Sequence, residues 1–183
     1  YPVKVQLQRR QSGRHHFMRE KSDIFMIIVI FWLSTFSFLR ISYNDTGTYI
    51  ALFRDAPSVA DGISHGMFTD WTGNPFSMLY RSLMREFTDN YHLYFFFPAI
   101  MANFAVVKLI KRYSVSPALS MLIFFSIGTY ILYLVALKQG HAVFFLLMAL
   151  PYALDKKYIR FYLLVFIAIC FHTHAFMFAI IPL

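Results

Sequence analysis

The sequence predicts an all-α integral membrane protein with about five transmembrane helices and an amphipathic interfacial helix in a long outer loop. Its 183 residues are 58% hydrophobic and only 14% charged, against roughly 45–50% and roughly 25% in soluble globular proteins. Aromatic residues make up 20% of the chain, which excludes a disordered protein. The single cysteine excludes a disulfide scaffold. The net charge of +8 comes from Lys and Arg residues that lie almost entirely between apolar blocks, so no nucleic-acid partner is expected.

The N-terminal segment, residues 1–23, is basic and precedes an apolar run. It carries six Lys and Arg residues against two acids. A signal peptide is the alternative, but no small-residue cleavage site follows Leu39. We therefore expect a cytoplasmic tail held near anionic lipid. Residues 24–183 would form a polytopic membrane domain that is incomplete at its C-terminus, because the chain stops within an apolar stretch.

Five apolar blocks are candidates for membrane spans: 24–39, 93–110, 117–137, 142–154 and 161–183. A helix needs ~20 residues to cross the ~30 Å hydrocarbon core, and the third and fifth blocks reach this length. Snorkelling of flanking Lys and Arg side chains can complete the first two. The fourth block is short and contains Pro151, which predicts a short or kinked span, or a re-entrant segment.

The charges of the loops predict one orientation. Loops 111–116 and 155–160 together hold five Lys and Arg residues and one acid, whereas loop 40–92 holds four arginines and six acids. The positive-inside rule therefore places the tail and the two short loops in the cytoplasm, and loop 40–92 outside.

Loop 40–92 contains the predicted amphipathic helix. Asn74-Pro75 is typical of a helix start, with an N-cap residue followed by proline. Arg81, Arg85 and Glu86 lie off the apolar stripe that follows. The stripe has helical spacing and consists of Phe76, Leu79, Tyr80, Leu83, Met84 and Phe87. Such a helix would lie on the outer interface. The alternative is a helix that merely caps the bundle.

A short helix bearing Tyr49 is predicted nearer the first span, with Asn44 or Asp45 as its cap.

Polar groups inside or beside apolar spans are the candidates for function. In the predicted topology they share the outer side, and they comprise Arg40, Asp45, Lys138, Gln139, His172 and His174. Lys138 and Gln139 would form the outer end of the third span. The cations could hold a phosphate, and a carboxylate or imidazole could accept a proton. Structural alternatives are an Arg40–Asp45 ion pair, an interfacial anchor at Lys138, and helix-joining histidines.

No glycine loop for phosphate and no metal-binding motif is present. His172 and His174 would point apart on a helix, so no metal site is expected.

Five short elements occur in a characteristic order. They are Arg40 closing the first span, Asp45-Thr46-Gly47-Thr48-Tyr49 with Phe53, Gly73-Asn74-Pro75-Phe76, Lys138-Gln139-Gly140-His141-Ala142, and Phe171-His172-Thr173-His174-Ala175. From about residue 24 to the end, this order resembles the first half of the EpsG-type, Wzy-like family of bacterial polysaccharide polymerases. Three positions depart from the family pattern: Lys138 replaces an arginine, His174 a serine and Asn44 a glycine.

The resemblance implies a multi-pass glycosyltransferase of the bacterial cell membrane with a cytoplasmic N-terminus. Such proteins join undecaprenyl-diphosphate-linked oligosaccharide repeats on the outer face, in exopolysaccharide, capsule or O-antigen synthesis. By position, Arg40 and Lys138 would stabilise the diphosphate and Gln139 would position it. Tyr49 and His174 would complete the substrate-binding set. Either Asp45 or His172 would be the catalytic base.

The scheme requires no cofactor or metal. The implied partners are the lipid-linked substrate, the bilayer and other membrane proteins of polysaccharide assembly.

Two other functions stay open. A lipid-linked oligosaccharide flippase or other permease would be expected to show paired repeats and broken helices, and no clear internal repeat is visible. The second open function is that of a structural membrane subunit, in which the histidines only join helices.

Overall fold

The computed structural model describes residues 24–128, 130–131 and 137–181, and its regular structure there is helical. The helices are α1 Ile24–Phe38, α2 Thr46–Arg54, α3 Val59–Ser64, α4 Pro75–Phe87, α5 Tyr91–Tyr113, α6 Pro117–Ser126, α7 Leu137–Leu154 and α8 Tyr158–Phe171. Short 3₁₀ helices cover Met67–Thr69, Trp71–Gly73 and Thr173–Ile180. The predicted tail, 1–23, lies outside the described residues.

Helices α5 and α7 are long and apolar enough to cross a membrane. Their 23 and 18 residues correspond to about 35 Å and about 27 Å of helix. Helices α1, α6 and α8 are apolar but shorter. The all-helical class is therefore confirmed for the described chain, with apolar helices that fit a membrane protein, while the number of spans stays a prediction.

Blocks 117–137 and 161–183, which are long enough in sequence to cross the membrane, are both interrupted. Helix α6 ends at Ser126, and Gly128 adopts a φ of +75°, a left-handed conformation that ends a regular helix. Helix α8 ends at Phe171, because His172 has extended backbone angles (φ −154°, ψ 110°). Within the described residues, neither block therefore forms one continuous α-helix, although each is long enough in sequence to span.

The fourth block, expected to be the weakest, belongs to one of the two longest helices. Helix α7 runs through Pro151 without a break, and Pro151 lies in its last turn. Lys138 and Gln139 belong to α7, so they do not end the preceding block as expected. The helix is long enough because residues 137–141 extend the apolar block by more than a turn.

Three apolar clusters hold the helices together. The largest joins α7 and α8 through buried residues that include Ala149, Phe161 and Ala168. A second joins α1, α5 and α6. Between α1 and α5, the Asn103 side-chain amide donates to the Ser34 hydroxyl at 3.1 Å. Such interhelical hydrogen bonds commonly help to stabilise helix packing in membranes.

Basic residues lie at both ends of the bundle. At one end, Arg112 in the last turn of α5 pairs with Asp155 in the α7–α8 turn at 3.6 Å, so segments 111–116 and 155–160 lie together. At the other end, α2 and α4 pack over the beginning of α5 and α7. Among the described residues, this second end carries the candidate site.

Helix α4 begins with Pro75 at its first position, as predicted, and has a strongly one-sided apolar pattern. Its side chains pack into the bundle: Tyr80 and Met84 contact the cluster around Phe53 and Tyr94, and Phe76 meets Phe171 at 5.6 Å between ring centroids. This arrangement agrees with the alternative of a helix that caps the bundle.

Asn74 occupies the predicted N-cap position of α4, but its side chain makes no capping hydrogen bond to this helix. Helix α2 occurs where a short helix was expected and begins after Asp45, whose side chain likewise makes no capping bond.

Candidate functional site

Arg40 is a buried cation with unused hydrogen-bond donors. It follows α1, is only 7% exposed, and its guanidinium carbon lies 4.0 Å from the centroid of the Phe95 ring, a cation–π distance. Burial lowers the pKa of Arg40, but a guanidinium stays charged in proteins. Its buried Nε and Nη2 atoms have no hydrogen-bond partner among the described residues. These two donors form one edge of the guanidinium, the edge that can bind two oxygens of a phosphate or carboxylate.

Arg81 is a half-buried cation with an unused donor, which the sequence analysis left on the polar side of α4. Its Nε atom is buried and has no partner in the described chain. The buried residues of α4 include Ser77 and Ser82. Arg81 lies one turn beyond Ser77 and next to Ser82, so this small-residue side of the helix is turned inward. The two serines beside the aromatic stripe indicate close packing on this side of α4, and sequence reasoning missed that signal.

Lys138 at the beginning of α7 is the third cation of the cluster. It is half-buried, and Arg81 lies within electrostatic range of it. Both arginines also act electrostatically on Tyr94, whose ring stacks on Phe53 at 4.9 Å and on Tyr80 at 5.4 Å. The three cations therefore converge over an aromatic floor that α2, α4 and α5 build.

The cation cluster, defined as Arg40, Arg81 and Lys138, has no acidic counterpart. Within the described residues, the ion pairs join Arg85 to Asp89, and Arg112 and Lys157 to Asp155. The Arg40–Asp45 ion pair considered as an alternative is not formed. Arg81 and Lys138 act electrostatically on each other, and two like charges repel unless an anion binds between them.

Tyr49 connects Asp45 to the cation cluster. Burial is the main cause that raises the pKa of Tyr49, and the Asp45 carboxylate adds to it. The backbone N–H groups of Lys138 and Leu137, together with Arg40, act in the opposite direction. The Tyr49 hydroxyl therefore lies between Asp45, which is exposed at the start of α2, and the first turn of α7.

His172 and His174 lie together where α8 ends. Their rings stack with centroids 5.1 Å apart, and Lys138 lies within electrostatic range of His172. The prediction that the two rings diverge is wrong, because the helix ends before them. Among the described residues, no third His, Cys, Asp or Glu joins the pair to form a metal-binding group.

Asn74 holds this histidine segment in place. Its side-chain oxygen accepts hydrogen bonds from the Thr173 backbone N–H at 3.0 Å and from the Thr173 hydroxyl at 3.2 Å. In a continued helix, that N–H would donate to Ile169 instead, so the contact stabilises the break at His172. Asn74 has a φ of +62°, a left-handed conformation that asparagine tolerates better than most residues.

Replacing Asn74 by glycine should therefore loosen the histidine segment. Glycine keeps the left-handed backbone but removes both accepted hydrogen bonds. We expect amide exchange at Thr173 to become about tenfold faster or more, since each bond contributes about 1 kcal/mol. Hydrogen exchange with mass spectrometry measures this rate. Asn74→Asp is the control, because it keeps an acceptor oxygen and should stay protected. Equal exchange in the two variants would contradict the assignment.

His141 packs in the middle of the cluster of rings. It is fully buried, its Nδ1 donates to the Leu137 carbonyl at 3.1 Å, and its ring stacks on Phe171 at 4.7 Å. Tyr80 meets its edge at 4.5 Å. The His141 ring thereby joins α4, α7 and the end of α8.

The structure thus brings most of the predicted site residues together. Gln139 is an exception, since it is exposed and its side chain makes no hydrogen bond within the described chain. The residues linked by direct contact or electrostatic range are Arg40, Asp45, Tyr49, Lys138, His172 and His174. Sequence reasoning missed Arg81, Asn74 and the central position of His141.

The comparisons with known proteins agree with the resemblance drawn from the short motifs. No curated protein and no solved structure matches the chain. The model of the EpsG family matches residues 23–183. Because this match extends over nearly all of the sequence, the chain belongs to the EpsG family.

Proposed function

We propose that this protein is a polymerase-type glycosyltransferase that joins undecaprenyl-diphosphate-linked oligosaccharide repeats at the outer face of the bacterial cell membrane. Membership of the EpsG family suggests a polysaccharide polymerase-like role in general. The observation that supports this specific proposal is the cation cluster, whose buried guanidinium donors have no hydrogen-bond partner among the described residues. A diphosphate supplies both the negative charge and the paired oxygens that such donors bind.

The cation cluster would act on the leaving group. A sugar hydroxyl of one repeat attacks the anomeric carbon of another, and the bond from that carbon to the diphosphate oxygen breaks. The electron pair leaves with the diphosphate, and the hydroxyl proton passes to a base. Arg40 and Arg81 offer fork-shaped donors and Lys138 a point charge, so negative charge that develops on the diphosphate is stabilised in a water-poor site. Lys138 stands where the family pattern has an arginine, and Arg81 would supply the guanidinium that is missing there.

The proton acceptor would be His172 or Asp45. His172 lies within electrostatic range of Lys138, whereas Asp45 reaches the cation cluster through Tyr49. Tyr49 and His174 would line the substrate on the same side. Either base lies near the anion site, as general base catalysis requires once the substrate is bound.

A lipid-linked oligosaccharide flippase is the second candidate. Transporters often bind substrates at discontinuous helices, and two apolar helices are interrupted here, at Gly128 and at His172. A structural membrane subunit would need neither the buried donors nor the histidine pair.

Arg40→Gln in the complete protein, expressed in its native cell, separates the three functions. We expect loss of long polysaccharide while single lipid-linked repeats are still exported, because a flippase elsewhere in the cell delivers them. Arg54→Gln, an exposed arginine at the end of α2, is the matched control and should leave chain length unchanged. Lipid-linked repeats that accumulate inside the cell would identify a flippase. Normal chain length in Arg40→Gln would identify a structural subunit.

A further inference from the structure

A cavity of about 310 Å³ lies at the end of the bundle opposite the cation cluster. It is enclosed between the last turns of α5 and the turn that joins α7 to α8. Its polar lining comes from Lys108, Arg112, Lys157 and Asp155. No residue of the candidate site contributes to it.

The cavity carries more positive than negative charge. Asp155 is the one carboxylate in the lining, and it is shared by Arg112 at 3.6 Å and Lys157 at 3.3 Å. Lys108 has no ion pair within the described chain, and its ammonium lies 5.7 Å from the Phe104 ring centroid. Three cations and one carboxylate leave a net charge of +2, so an anion would be favoured there.

The cavity also has an apolar wall that extends away from these charges. On α7 this wall reaches back to Leu147, eight residues before Asp155, which is about 12 Å along a helix. Leu109 contributes to it from α5. A free phosphate ion would use only the charged rim. A phospholipid has a phosphate beside an acyl chain and would use both parts.

We infer that this cavity binds an anionic glycerophospholipid, with its phosphate at Lys108, Arg112 and Lys157 and an acyl chain along Leu109 and Leu147. The depth of the wall along α7, a helix long and apolar enough to cross a membrane, matches the position of such a lipid in one leaflet. Basic pockets between helices are known to select anionic headgroups. This lipid would bridge α5 and the α7–α8 turn, at a place remote from the proposed reaction.

The test is a titration of the purified complete protein with short-chain phosphatidylglycerol, followed by native mass spectrometry. Lys108→Gln should bind the lipid about fivefold more weakly, the effect of one basic residue at a lipid phosphate. Lys156→Gln is the matched control, since it removes the same charge at the same end but does not line the cavity. It should bind like the unaltered protein.

Three results would overturn the inference. Phosphatidylcholine that binds as tightly as phosphatidylglycerol would show that the charge is not used. Inorganic phosphate that displaces the lipid at equal concentration would identify a free-anion site. Equal weakening in Lys108→Gln and Lys156→Gln would indicate diffuse attraction without a defined cavity.

Discussion

Arg81→Gln is expected to lower polymerisation by about 30-fold, because a charge-assisted hydrogen bond to the diphosphate contributes about 2 kcal/mol. The Nε atom of Arg81 is buried and has no partner among the described residues. A bound anion would satisfy it, and glutamine cannot replace its charge. The measurement is kcat/KM for chain elongation by the purified complete protein, with lipid-linked repeats as substrate.

Arg85→Gln is the matched control, one turn further along the same helix. Arg85 pairs with the exposed Asp89 near the surface, and surface ion pairs contribute only about 0.2–1 kcal/mol to stability. We expect nearly normal elongation in this variant. If the two variants lost the same amount of activity, the loss would reflect damage to α4, and Arg81 would have no place in the anion site.

His172→Ala is expected to reduce elongation about 100-fold or more, the usual contribution of a general base. His172 is half-buried beside His174 and within electrostatic range of Lys138, so it lies close to the bound diphosphate in the proposed site. Asp45 is exposed and separated from the cations by Tyr49. We therefore expect Asp45→Asn to cost about tenfold or less.

His174→Ala controls for simple loss of the histidine stack, and because His174 would line the substrate, this variant should raise KM but largely keep kcat. Added imidazole should restore part of the elongation in His172→Ala, because it can enter the vacated space and accept the proton. That rescue would not follow from a purely structural role. A 100-fold loss in Asp45→Asn, with near-normal elongation in His172→Ala, would assign the base to Asp45 instead.

The local sequence pattern was sufficient to predict the helical class and several boundaries. The apolar stripe after Pro75 predicted α4, and hydropathy located the cores of α5 and α8. These features depend on neighbours within a few turns, and periodicity reports such neighbours directly.

The helix breaks and the inward position of Arg81 could not be predicted in the same way. His172 ends α8 where Asn74, 99 residues earlier, accepts the Thr173 N–H. No window of hydropathy contains that contact. Arg81 turns inward beside Ser77 and Ser82, which are buried, so the buried face of α4 is wider than the aromatic stripe that periodicity identified. The site depends on which elements meet, and a single sequence does not encode this in any local pattern.

The central claim is that the cation cluster faces the extracytoplasmic water, and thiol labelling in intact cells tests it most directly. In a background with Cys170 and any other native cysteine replaced by alanine, the variants Asp45→Cys and Lys157→Cys mark opposite ends of the bundle. We predict that a membrane-impermeant maleimide labels the Asp45→Cys protein in intact cells and the Lys157→Cys protein only after permeabilisation. Labelling of the Lys157→Cys protein from outside, with the Asp45→Cys protein protected until permeabilisation, would contradict the proposed orientation and with it the proposed function.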